Sequence, residues 1–285
     1  MLRLGYAFPI RNLIGTVVTV IPAGLFAAGL SFQAVKKEVL EQRLRSFSRD
    51  NTQREAILKK MFREVGCADH LEEEAVEHLK QPDLICVLPG QSDQVIFVGA
   101  HFDHVSVGEG VADNWSGASL LPSLYQGLRT HPRQHTFIFI AFTGEEKGEL
   151  GSHAYVRRMS KDEVARTQAM VNMDTLGLGP TEMWLSHADP YLSAVLKAVA
   201  KSLSLPLGVV NVDGMGSSDS EEFARRKIPC ITIHSVTQQT WPILHSPQDN
   251  LKAVHLDEYY DSYRLIEGYL VYLDGALKKS GVRSQ

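Results

Sequence analysis

Cysteine is scarce in this 285-residue chain: there are three, Cys67, Cys86 and Cys230, and no two form a CxxC pair. That excludes a thiolate zinc knuckle and a dense disulfide framework. Packing in a core accounts for all three, and one pair, Cys67 with Cys86, stays open for a domain that is exported. Net charge is scarce as well. Against 33 Asp and Glu stand 29 Lys and Arg, a formal balance of only −4, so no bulk attraction to nucleic acid is available and no nucleic-acid partner is expected. Internal repeats, low-complexity tracts and internal linkers are missing too. With 44% hydrophobic residues, the chain is long enough for one sizeable core.

One stretch does lack charge altogether. Between Arg11 and Lys36 there is no charged residue, and the run "LIGTVVTVIPAGLFAAGL" over 13–30 approaches the roughly 20 residues that cross a bilayer. Three readings fit it: a signal-anchor helix, a cleaved signal peptide, or a segment packed on the domain. Its length exceeds the usual signal core, and only Ala27-Ala28-Gly29 offers a small-residue cut site, which favours the anchor. The domain is therefore expected to be membrane-anchored, touching the membrane through 13–30, or exported. Orientation stays open, because Lys36, Lys37, Arg43, Arg45 and Arg49 outnumber Arg3 and Arg11.

Three regions follow: an apolar signal or anchor segment over 1–35, a helical lead-in over 36–80, and a main domain over 81–280. In the lead-in, Ile57, Leu58, Met61, Phe62 and Val65 recur at helical spacing. Beyond it, short apolar runs ("LICVLPG", "QVIFVGAH", "TFIFIAFTGEE", "AMVNMDTLG", "EMWLSH", "CITIHS") alternate with helical patterns ("SGASLLPSLYQGL", "ELGSHAYVRRM", "YLSAVLKAVAKSL", "SEEFARRK"). A long helix from Leu256 to about Leu277 closes the chain. Such alternation predicts an α/β sheet sandwiched between helices, whose ligands bind beyond the carboxyl ends of the strands.

Polar residues gather where those strands should end. "VIFVGA" runs into His101 and Asp103, and side chains two apart on an extended strand point the same way. An imidazole that ligates a metal and is oriented by a carboxylate needs that arrangement. Asp113 precedes the helical "SGASLLPSL", Glu145 and Glu146 follow "TFIFIAFTG", Asp174 follows "AMVNM", and His245 lies in the loop "WPILHSPQD". One imidazole and one carboxylate for each of two ions, plus a shared carboxylate, make a ligand inventory for two Zn²⁺. Adjacent glutamates cannot both aim at one ion, so one is free to act as a base. Taken singly, each of these residues reads as a solvated strand end; their ordered recurrence argues otherwise. His104 reads as supporting or structural, His153 as helix surface and His234 as a strand residue. Trp115 reads equally as pocket lining or packing, Glu149 as a helix-start charge, and the Ser217, Ser218, Asp219 stretch as helix capping.

The pieces "GAHFDH", "GVADNWSGAS", "FTGEEKGELGSHAYV", "NMDTLG", "SSDSEEFARRKIP" and "HSPQD", in this order over roughly Asp83 to Gly275, resemble the M28 family of zinc aminopeptidases. The resemblance implies a three-layer α/β sandwich with a mixed, mostly parallel sheet of about eight strands. It also implies a site for two zinc ions and a peptide substrate. It would make His101, Asp113, Glu146, Asp174 and His245 metal ligands, with Asp113 bridging, Asp103 orienting His101, and Glu145 the general base for a metal-bound water. Asp249 is a weaker match, supporting the His245 loop. Where many members carry a tyrosine near the second histidine, this chain has Trp241, Pro242, Ile243 and Leu244, so the oxyanion partner stays unassigned. Two alternatives remain: a glutaminyl-cyclase-like transferase using one zinc, and a binding protein of the same fold that has lost catalysis.

Overall fold

The computed structural model describes residues 32–279 except Met215. The apolar run over 13–30 lies outside the described residues. Among the described residues no helix is long and apolar enough to cross a membrane.

The lead-in is not one helix. Asp50 accepts a hydrogen bond from the Gln53 N–H and restarts the chain, so α1 (Lys37–Arg45) and α2 (Asn51–Phe62) are separate. Gly66, at φ 94°, turns the chain out of the helix, and a disulfide ties Cys67 to Cys86. The acidic "LEEE" then forms a strand, β1 (Leu71–Glu74). Helical propensity loses here because β1 is an edge strand with its charges toward water. α1 and α2 bury Leu40, Leu44, Leu58 and Phe62 in the same cluster as the main sheet.

Seven further strands complete the sheet: β2 (Asp83–Leu88), β3 (Val95–His101), β4 (Thr136–Phe142), β5 (Thr167–Met173), β6 (Glu182–Met183), β7 (Gly208–Val209) and β8 (Cys230–His234). Their order is β1-β2-β4-β3-β5-β8-β6-β7. The central block β4-β3-β5-β8 is parallel, and β1, β2 and β6 pair antiparallel to their inner neighbours. "EMWLSH" keeps only Glu182 and Met183 in the sheet, the chain turning through Leu185–His187.

The strands alternate with period two between two apolar layers. In β3, Ile96, Val98 and Ala100 join one core, while Val95 and Phe97 join the other. The larger layer is built with α1, α2, α3 (Ser116–Arg129), α6 (Pro190–Leu203) and α8 (Leu256–Lys279). The smaller one takes Val156 from α4 (Leu150–Arg158), Val164 from α5 (Lys161–Arg166) and Phe223 from α7 (Ser220–Arg225). The result is the expected three-layer α/β sandwich with a mixed, mostly parallel sheet. Because the four central strands run the same way, their carboxyl ends share one edge: His101 registers with Phe142, and the Asp174 N–H donates to the Ile233 carbonyl.

Candidate metal centre

The β3–α3 connection fixes the first ligands. Gly117, in the first turn of α3, permits the close approach: a Cβ there would lie 2.6 Å from Asn114 Oδ1 and 2.9 Å from the Met173 carbonyl. The Asn114 amide bonds that same carbonyl at 2.9 Å, and its Oδ1 accepts from the Gly117 and Thr175 N–H groups. Asp113 and Asp174 are thereby pinned to neighbouring strand ends.

His101 ends β3 and is 1% exposed. Its Nε2 lies 3.3 Å from Asp113 Oδ1, 3.5 Å from Asp174 Oδ1 and 3.7 Å from Glu145 Oε2. The other oxygen of Asp113 faces His245, with Nε2 to Oδ2 at 3.2 Å, and His245 Nε2 stands 3.0 Å from Glu146 Oε2. Asp113 thus spans the two imidazoles. All five expected ligands and Glu145 meet in one place, contributed by the end of β3 and by the connections that follow β3, β4, β5 and β8.

Asp103 has a hold different from the one its spacing suggests. The strand stops at His101, so the two side chains are not aligned by extended backbone. His101 Nδ1 bonds the Asp103 main-chain carbonyl at 3.2 Å, while the carboxylate stands 3.7 Å away and accepts from the Glu145 N–H at 3.1 Å. The carboxylate braces the turn that carries Glu145. Asp249 likewise braces a ligand loop, accepting from the Ala112 N–H at 2.7 Å and the Asp113 N–H at 3.3 Å. Its support goes to Asp113.

A cation fits these residues on three grounds. Neighbouring donors around a tetrahedral zinc with bonds of about 2.0–2.1 Å are separated by about 3.3 Å, matching the 3.3 and 3.5 Å from His101 to Asp113 and Asp174 and the 3.2 and 3.0 Å from His245 to Asp113 and Glu146. Glu146 Oε1 is buried without a hydrogen-bond partner. Finally, the charges are unbalanced. Burial pushes the Glu145 and Glu146 carboxyls up. Burial would do the same to Asp113, but hydrogen bonds from His101 and His245 hold its carboxyl well below the usual range. His245 is pushed up to about 10 by its hydrogen bonds to Asp113 and Glu146. A hollow of this sign is satisfied by cations.

A cavity of about 480 Å³ opens from the centre, with Asp113, Glu145, Glu146, Asp174 and His245 at one end and Trp184, Val212, Val236, Trp241 and Leu244 along its wall. His234 also lines it; burial lowers its imidazole to about 4, and both nitrogens are engaged, with the Val210 carbonyl and the Val236 N–H. Trp115 is not lining: it is fully buried and donates to the Arg43 carbonyl. His104 bonds the Arg49 carbonyl, and His153 pairs with Glu222.

Asp219, read from the sequence as part of a helix cap, precedes α7 without a side-chain capping bond; it is buried near the centre, its carboxyl pushed up to about 7 by burial. One residue escaped the sequence. Arg54, on α2, is wholly buried and reaches the loop beyond β3, donating to the Ser48, Phe102, Glu109 and Gly110 carbonyls at 2.6–2.9 Å. An arginine at a helical-face position carries no mark of this.

Aminopeptidase YwaD of Bacillus subtilis is 28% identical over 217 residues, 71% of this chain and 44% of its own. A probable leucine aminopeptidase of Arthroderma otae is 25% identical over 75% of this chain and 64% of its own. The chain thus spans roughly half to two thirds of the length of these relatives. Among solved structures, a zinc aminopeptidase from Bacillus subtilis superimposes with a TM-score of 0.61 at 24% identity, covering 67% of this chain and 49% of that one. An Acidobacteriales bacterium glutaminyl cyclase superimposes with 0.73 at 17%, covering 88% and 97%. At these identities the superpositions speak for the fold. Residues 83–269, which hold every side chain of the centre, match the model of peptidase family M28, and the chain belongs to that family.

Proposed function

We propose that this protein is an aminopeptidase that holds two zinc ions and removes N-terminal residues from peptides. The observation that carries the reading is Asp113, whose two oxygens face two different imidazoles at 3.3 and 3.2 Å. His101 and Asp174 would complete one ion's donors, His245 and Glu146 the other's, leaving each open to substrate or water. Bound zinc would supply Lewis-acid polarisation of the scissile carbonyl and lower the pKa of a water.

The rest is work for the chain. Glu145 stands beside His101, and its carboxyl, raised by burial, suits a base that takes a proton from water and returns it to the departing amine. Asp103 keeps the Glu145 backbone in place, and the His101 imidazole is set by the Asp103 carbonyl. The apolar wall excludes water on the side-chain side of the substrate. Residues 1–35 are proposed to anchor or export the domain, and 36–80 to brace the catalytic region over 81–280. Two fully buried cysteines joined as Cys67–Cys86 suit an oxidising compartment.

A second reading is a glutaminyl-cyclase-like transferase with one zinc, since the Acidobacteriales enzyme shares this fold over nearly its whole length. Metal analysis together with release of nitroaniline from aminoacyl-nitroanilides separates the two. Two zinc ions per chain and release are expected; one ion with cyclisation of N-terminal glutamine refutes the aminopeptidase. Glu145→Gln is expected to keep both ions and lose turnover by about 10²–10⁴-fold, and unchanged turnover removes Glu145 from the mechanism.

A further inference from the structure

Glu149 sits in the wall of the cavity, four residues beyond Glu145. Its backbone is held in the left-handed region at φ 50°, uncommon for a residue with a side chain. The Glu149 N–H donates to the Glu145 carbonyl, and the Glu149 carbonyl accepts from the His153 N–H, both at 2.9 Å. The carboxylate is therefore presented from a backbone fastened to the catalytic turn. One of its oxygens takes the Ser217 hydroxyl. Next to Ser217, the Trp241 ring edge lies 3.6 Å from where a Cβ on Gly216 would stand. Trp241 and Leu244 continue into the apolar group of Trp184, Val212 and Val236. The wall thus offers an apolar run with a carboxylate at its border.

That carboxylate has the Ser217 hydroxyl for a partner but no counter-ion in the wall. Among the described residues lining the cavity there is no lysine or arginine, His245 is engaged by Asp113 and Glu146, and both nitrogens of His234 are taken by backbone groups. A side chain that is apolar throughout would leave the Glu149 carboxylate without a counter-ion. One with an aliphatic stem and a terminal cation satisfies both parts, because the stem lies on the apolar wall and the cation meets the carboxylate.

We propose that the cavity selects an N-terminal residue with a long aliphatic stem ending in a cation, lysine or arginine, and that Glu149 reads the charge. The proposal rests on the aminopeptidase reading and deepens it. Norleucine is the natural comparison, since it keeps the stem of lysine and lacks the ammonium.

The zinc-loaded protein is tested with lysyl- and norleucyl-nitroanilide, and by calorimetric binding of free L-lysine and L-norleucine. Wild type is expected to favour lysine at least tenfold, about 1.4 kcal/mol, in both assays, the turnover difference residing in KM. Glu149→Gln should cut the lysine-to-norleucine ratio at least tenfold, and Glu149→Asp should restore part of it. Parallel loss on both substrates would mean that Glu149 holds the α-ammonium, and overturns the proposal; so does a ratio that Glu149→Gln leaves unchanged. If neither nitroanilide is cleaved but lysine binds with the expected preference, the peptidase reading fails and charge selection stands.

Discussion

Replacing Arg54 by methionine probes how a helix that supplies no ligand governs the metal loop. Arg54 donates four hydrogen bonds, to the Ser48, Phe102, Glu109 and Gly110 carbonyls, and its guanidinium lies 5.5 Å from the Trp115 ring. Bonds from a charged donor contribute about 1.5–3 kcal/mol each, so the gross loss is about 6–12 kcal/mol. Against this stands relief of a buried charge. Burial pushes the guanidinium from 12.5 down to about 10, a cost of about 3 kcal/mol that methionine removes. Methionine also refills the stem, and water reaches the less buried Ser48 and Glu109 carbonyls, which brings the net toward the lower end, about 3–5 kcal/mol. With a urea m-value of about 3 kcal/mol/M the unfolding midpoint should fall by about 1–1.7 M. Zinc affinity, measured by competition with a chromophoric chelator, should weaken too, because three of the released carbonyls, those of Phe102, Glu109 and Gly110, belong to the segment leading from His101 to Asp113. Arg54→Lys, a point charge without the guanidinium fork, should fall between. A midpoint that stays in place, with unaltered zinc affinity, would refute the account of Arg54 as the tether of that segment.

Acid should destabilise the fold through His234. Its folded pKa, about 4, lies below the ordinary 6.5, so the unfolded chain takes the proton first; the stabilisation is whole above about 6.5 and drains by about 3 kcal/mol as pH falls to about 4. His234→Gln should flatten the slope of unfolding free energy across that window, and equal slopes would contradict the assignment. Breaking Cys67–Cys86 by the double change to serine opens a link across 19 residues of sequence and should lower stability by about 3 kcal/mol in thermal or urea unfolding; no change would mean that the pair is not joined in solution.

Most residues of the candidate metal centre were legible because they sit next to a signal of their own. His101, Glu145, Glu146 and Asp174 follow apolar runs, and Asp113 precedes a helix, so strand ends could be located and the polar residues assigned to one edge. Period-two and helical patterning likewise gave the layers, since both periods follow from local backbone geometry. Where local rules mislead, a distant contact is the cause. The "LEEE" segment pairs as an edge strand because β2 offers it a partner. Asp103 turns its carboxylate to the Glu145 N–H because the chain leaves the sheet directly after His101.

The sequence by itself determined the layer architecture and the identity of the groups that converge, because secondary-structure period and residue chemistry are properties of short segments. Only the tertiary structure decided which oxygen of Asp113 faces which imidazole, that Arg54 and Asp249 brace the loop that carries Asp113, and that Glu149 borders an apolar wall. Those facts depend on side chains up to 195 positions apart, Arg54 to Asp249 in number, and distances between remote segments are fixed by packing, which no local pattern encodes.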